Sequence, residues 1–133
     1  MTKTEFPDVV TVDTRSGGTV SIYPLGSVIV IRHRGRYGVL RDSFRMNHNA
    51  ARRFAQDARD RVLTFGPQFY DTDAQEGGVL AVRGNAGMAE IKRSPSKGSS
   101  LIYDRIIFTD DQFLRFVEEV EQAAAVAQLL ETV

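Results

Sequence analysis

The residues Arg32-His33-Arg34-Gly35-Arg36-Tyr37 hold the densest chemistry in this chain. Guanidinium groups at alternate positions beside an aromatic ring can grip phosphates and stack a base. Arg41, Arg45, Arg52 and Arg53 extend the basic run toward the segment that follows, and Arg83, Lys92, Arg93 and Lys97 make a second basic stretch. Arg32, Arg34, Arg36, Tyr37, Arg41, Arg83 and Lys92 are therefore the candidate nucleic-acid-binding residues. The cations would contact phosphates and Tyr37 would stack. The glycines match neither the phosphate-binding loop nor the dinucleotide fingerprint.

Catalytic material is sparse. The only histidines are His33 and His48. As a general base His48 would need an orienting partner, and no neighbour in the sequence supplies one. His33 shares strand parity with Ile29 and Ile31, which turns it toward the interior. Asp71-x-Asp73 with Glu76 has the short carboxylate spacing that suits a hard cation. It lacks the glycine and the distal glutamate of an EF-hand loop, and such a pattern is more often a solvated acidic linker. Cysteine is absent, which removes disulfides, thiolate catalysis and zinc–thiolate sites. The expectation is a non-enzymatic protein with no cofactor and no metal. A small hydrolase using His48 and the Asp71/Asp73 loop is the weakest competing idea.

Formal net charge is zero, but its distribution is uneven. Residues 32–61 hold 9 arginines against Asp42, Asp57 and Asp60, while residues 110–131 hold 6 acids against Arg115 alone. The chain is thus basic in its middle and acidic at its C-terminal end. Arginine outnumbers lysine 14 to 3; planar recognition of phosphate favours arginine, and so does a GC-rich coding sequence. The first ten residues contain no apolar run of the signal-peptide kind, and no apolar stretch approaches a membrane span. A cytoplasmic protein without membrane contact is expected.

The elements that must position these groups follow from periodicity. Strands are predicted over 8–13, 19–23, 28–31 and 37–41, with polar or glycine-containing turns between them. A helix follows over 49–63. Ala51, Phe54, Ala55, Ala58 and Val62 form its apolar stripe, Asn47 or Asn49 its cap, and Gly66-Pro67 its stop. Residues 67–77 read as an acidic connector. Strands over 79–83, 88–92 and 101–108 come next, then a long helix opening at Thr109-Asp110-Asp111 and reaching Glu131. Residues 27–43 align without a gap on residues 78–94, an offset of 51, which suggests pseudo-repeats spanning 8–66 and 78–133. The predicted architecture is a single α+β domain over 1–133. It has an antiparallel sheet built from two pseudo-repeats, ββββα then βββα, with a long C-terminal helix. Val120, Ala124, Ala127 and Leu130 on that helix would pair with another subunit if the helix overhangs the sheet.

The order of four strands, helix, strands, helix resembles the Whirly and Pur-type group of single-stranded nucleic-acid binders. Arg34-Gly35-Arg36-Tyr37 is similar to the Arg-Gly-Arg-aromatic segment of Pur-type repeats, whereas Asn85-Ala86-Gly87-Met88 departs from it. The likeness implies sheets that hold a single strand and helices that pack or dimerise. Residues 88–120 separately resemble the small actinobacterial regulatory domains related to BldB, on Ser96-Lys97, Phe108-Thr109 and Phe113 with Phe116. That resemblance implies a protein partner rather than an enzyme. Two expectations follow: binding of nucleic acid, single strands preferred, or a protein-interaction module that docks a partner, or its own copy, through the acidic C-terminal helix.

Overall fold

The computed structural model describes residues 9–61, 68–72, 78–85 and 87–131. Strands β1 (Val10–Asp13), β2 (Thr19–Leu25), β3 (Val28–Arg34) and β4 (Leu40–Asn47) form one antiparallel sheet in chain order, and helix α1 (His48–Arg61) follows directly. Strands β5 (Gln68–Asp71), β6 (Val79–Asn85), β7 (Met88–Ser94) and β8 (Asp104–Thr109) form a second sheet in the same order, followed by α2 (Asp110–Glu131). The class is α+β with a long C-terminal helix, in two sheets rather than one.

Three expectations are corrected. The segment read as an acidic connector contributes β5, whose Tyr70 opposes Leu80 of β6 and is buried; Asp73, Glu76 and Gly66-Pro67 lie outside the described residues. The second unit is therefore ββββα, a full copy of the first. The internal alignment of the sequence, however, lays β3–β4 on β6–β7. By position in its unit, β6–β7 corresponds to β2–β3, so that match is a likeness between hairpins and not the structural repeat. Finally, Val120, Ala124 and Ala127 lie in the chain's own core, and only Leu130 is exposed, at 46%. The stripe expected to serve an interface is used inside the molecule because α2 packs on β1, β2 and β3 as well as on α1.

Alternation sets the faces of each strand. In the first sheet Val12, Val20, Ile22, Ile29, Ile31, Phe44 and Met46 turn inward; in the second, Leu80, Val82, Ala89, Ile91, Ile106 and Phe108 do. Both sets join the helices in one core. Its centre is aromatic: the Phe54 ring of α1 meets Tyr70, Phe116 and Phe113 edge-on at 5.5, 5.9 and 6.3 Å, and Phe116 stacks on Phe108 at 4.9 Å. The helices start where their caps dictate. Asn47 Oδ1 accepts the Ala50 amide at 2.8 Å. Thr109 and Gln112 form a reciprocal capping box, in which Gln112 Oε1 accepts the Thr109 amide and Thr109 Oγ1 accepts that of Gln112. The helices run antiparallel: His48 Nε2, at the start of α1, donates to Glu131 Oε1, at the end of α2, over 2.8 Å, and Arg59 bonds Glu121.

The two units are joined by a reciprocal pair of buried hydrogen bonds to carboxylates. His33 Nδ1 on β3 donates to Asp104 Oδ2 on β8 over 2.6 Å, and Arg93 Nε on β7 donates to Asp42 Oδ2 on β4 over 2.6 Å. Within the sheets, His33 stands opposite Asp42 and Arg93 opposite Asp104. The third strand of each unit thus gives a side-chain N–H donor to a carboxylate on the fourth strand of the other. Reciprocity of this kind is the mark of a twofold interface.

Candidate nucleic-acid interface

The face of the first sheet turned away from the helices carries Arg32 and Arg34 on β3, because Ile29, Ile31 and His33 take the inward positions. Across the sheet, Thr11, Ser21, Arg32 and Ser43 stand in one register row, and Tyr23, Val30 and Arg45 in the next. Arg32 is thus flanked by two serine hydroxyls, and Arg45 lies one row away. Arg32 Nε is shielded from solvent and has no hydrogen-bond partner among the described residues. Arg34 Nη1 donates to the Gly38 carbonyl at 3.2 Å, which folds its side chain toward the β3–β4 turn.

A bulge between His33 and Arg34 shifts the pairing there, so that Arg34 opposes Leu40 and Arg41 has no register partner. This displaces Arg41 from the sheet face toward the join between the units. Its Nε lies 3.7 Å from Asp104 Oδ1, with the side chain 61% exposed. Arg36 and Tyr37 sit in the turn, the guanidinium 5.6 Å from the ring centroid, and Tyr37 is 87% exposed. Of the residues singled out in the first basic segment, then, Arg32 and Arg34 share the sheet face, while Arg36, Tyr37 and Arg41 gather at its end.

Arg83 and Lys92 lie on the outer face of the second sheet. Lys92 stands between Ala81 and Arg105, and Arg83 is opposite Glu90. A shallow hollow of about 170 Å³ there is lined by Arg83, Glu90, Lys92 and the loop residues Gly98 and Ser99. Glu90 pairs with Arg105 at 2.8 Å and makes this face the less basic of the two. The expectation that both basic hairpins share one sheet is corrected: one belongs to each sheet. Arg52 is exposed on α1, and Arg53, on the same helix, lies over the Tyr70 ring at 4.9 Å.

Ion pairing sorts the cations. Arg59, Arg93, Arg105 and Arg115 are held by carboxylates. Among the described residues, Arg32, Arg34, Arg36, Arg45, Arg83 and Lys92 have no ion pair. Sequence reasoning reached Arg45 only as an extension of the basic run, because β4 continues six residues beyond Arg41, to Asn47; its alternation with buried Phe44 and Met46 was the available signal. The Ser21 and Ser43 flanks had no signal short of strand register.

No metal-ligating cluster of three or more groups exists among the described residues, and none of their helices is long and apolar enough to cross a membrane. Compared with protein-family models, curated proteins and solved structures, the chain matches none.

Proposed function

We propose that the outer face of the first sheet binds single-stranded nucleic acid without catalysing a reaction. Arg32 carries this reading: a guanidinium with a shielded, unpartnered Nε, set between Ser21 and Ser43, gains most from an anionic acceptor, because an unsatisfied donor is costly. Arg45 and Arg34 supply further charge, and Tyr23 an aromatic surface in the Arg45 row. Arg83 and Lys92 on the second sheet extend the cationic area. The resemblance to the Whirly and Pur-type group belongs to this proposal, since sheets hold the strand in that group.

Fluorescence anisotropy with single-stranded DNA, single-stranded RNA and duplex DNA over a salt series tests it. Single strands bind, and their affinity falls with salt at a log–log slope of about −0.7 per phosphate neutralised. Arg32→Ala with Arg45→Ala weakens binding at least about tenfold and flattens the slope by one to two phosphates' worth. Arg52→Ala, at an exposed position of α1, leaves both unchanged. Equal binding by the double variant refutes the assignment.

A second reading rests on α2, which exposes Leu114, Val126, Leu129 and Leu130. A protein partner or a second copy would dock there. Leu129→Lys with Leu130→Lys would then lower the mass measured by light scattering or release the partner.

A further inference from the structure

At the end of the first sheet the β3–β4 turn, the β1–β2 turn and β8 enclose an open crevice of about 450 Å³. That lies within the range of small-ligand sites. Both units build it: His33, Arg36, Tyr37 and Arg41 come from the first and Arg105 from the second. Its floor is fixed. His33 donates Nδ1–H to Asp104, which is nearly fully buried, and Arg41 approaches the other oxygen of the same carboxylate. His33 Nε2 bonds no group among the described residues, so the ring offers the crevice a nitrogen.

The rim combines two unsatisfied properties. Its guanidinium groups, Arg36, Arg41 and Arg105, outnumber the carboxylates that touch them, Asp104 and Glu90, and Arg36 has no ion pair among the described residues. Tyr37 leaves its ring almost wholly in water beside Arg36. A ligand that answers both carries a phosphate and a planar ring. Arginine forks suit phosphate, and an exposed aromatic suits a base.

We propose that this crevice binds a nucleoside phosphate, with the phosphate on Arg36 and Arg41 and the base against Tyr37. The group could arrive as a free nucleotide or as the terminal nucleotide of a strand. The site uses none of Arg32, Arg34, Arg45, Arg83 or Lys92, so it stands independently of the sheet-face reading.

Isothermal titration of the full chain with the four nucleoside 5′-monophosphates, with adenosine and with inorganic phosphate tests it. At least one monophosphate saturates the protein, while adenosine and phosphate alone bind at least about tenfold more weakly. Arg36→Ala with Tyr37→Ala removes that binding without moving the melting temperature, because both side chains are exposed. Tyr37→Phe, which keeps the ring, retains it, and Arg32→Ala with Arg45→Ala does not affect it. No saturable binding of any monophosphate, or binding unchanged in the Arg36/Tyr37 variant, overturns the proposal. Oligonucleotides with a 5′-phosphate or a 5′-hydroxyl separate the sources. Tighter binding of the phosphorylated strand, abolished in the Arg36/Tyr37 variant, assigns the crevice to strand ends; equal binding assigns it to free nucleotides.

Discussion

Arg93 and Asp42 form an ion pair in which both side chains are about nine-tenths buried. The guanidinium also lies over the Tyr103 and Phe44 rings at 4.8 and 5.4 Å. Removing one partner strands the other charge away from water, so Asp42→Ala should cost about 3–5 kcal/mol, measured by urea unfolding. Arg59, whose pairing with Glu121 is half exposed, gives the contrast: Arg59→Ala should change stability by less than about 1 kcal/mol. Gly18 makes a different kind of demand. A Cβ there would stand 2.3 Å from the Arg34 carbonyl oxygen, because the β1–β2 turn lies directly against the end of β3. Gly18→Ala should therefore destabilise by about 1–3 kcal/mol, again read from urea unfolding. It should also disturb the Arg34–Gly38 turn, visible as shifted amide resonances for residues 34–41.

Among the elements, the helices depend on the aromatic centre. Phe54 is fully buried and touches three other rings, so Phe54→Ala should cost about 3–5 kcal/mol. Calorimetry should show it losing cooperativity in both units together, since Tyr70, Phe113 and Phe116 belong to the second. This is also the scale at which the sequence is most readable. The apolar stripe of α1, the Thr109 start of α2 and the alternation of β2, β3, β6 and β7 are local patterns, and each predicts its element to within a few residues, though β3 runs three residues, and β2, β6 and β7 two residues, past the predicted ends. Strand β5 is not readable: four residues flanked by polar and acidic ones become a strand through pairing with β6. The bulge beside His33 has no local signature either, and it decides that Arg41 leaves the sheet face. Parity places Arg32 and Arg34 outward from sequence alone. The carboxylates that claim Arg93 and Arg105, and so define which cations stay unpaired, come from other strands and are invisible until register is known.

In the whole molecule, the formal charge of zero conceals a segregated surface. Arg32, Arg34, Arg45, Arg83 and Lys92 face away from the helices, while α2 carries five acids other than Glu131 along its length. A strand approaching the outer face of the first sheet meets the cations first, and neutral overall charge limits attraction to within about one Debye length, roughly 8 Å at physiological salt. Under the proposed binding, association should therefore be slow compared with that of strongly basic binders and depend weakly on salt at the encounter step, while a complex held by arginine–phosphate contacts should be salt-sensitive. Stopped-flow anisotropy separates the two, through a shallow salt dependence of the association rate beside a steep one of the dissociation rate.

The reciprocal contacts of His33 with Asp104 and Arg93 with Asp42, together with α2 lying across β1–β3, make neither unit self-sufficient. Each ββββα half leaves part of its hydrophobic interior to be closed by the other. The protein is in effect a heterodimer whose subunits share one backbone, and the link between α1 and β5 acts as a tether that raises their effective concentration. Severed between residues 61 and 68, the halves should be unstructured apart and should reassemble one-to-one when mixed. Their melting temperature should then depend on concentration, because reassembly is bimolecular. Circular dichroism of each fragment and of the mixture reads this directly. Two fragments that each fold alone would show that the halves are independent domains.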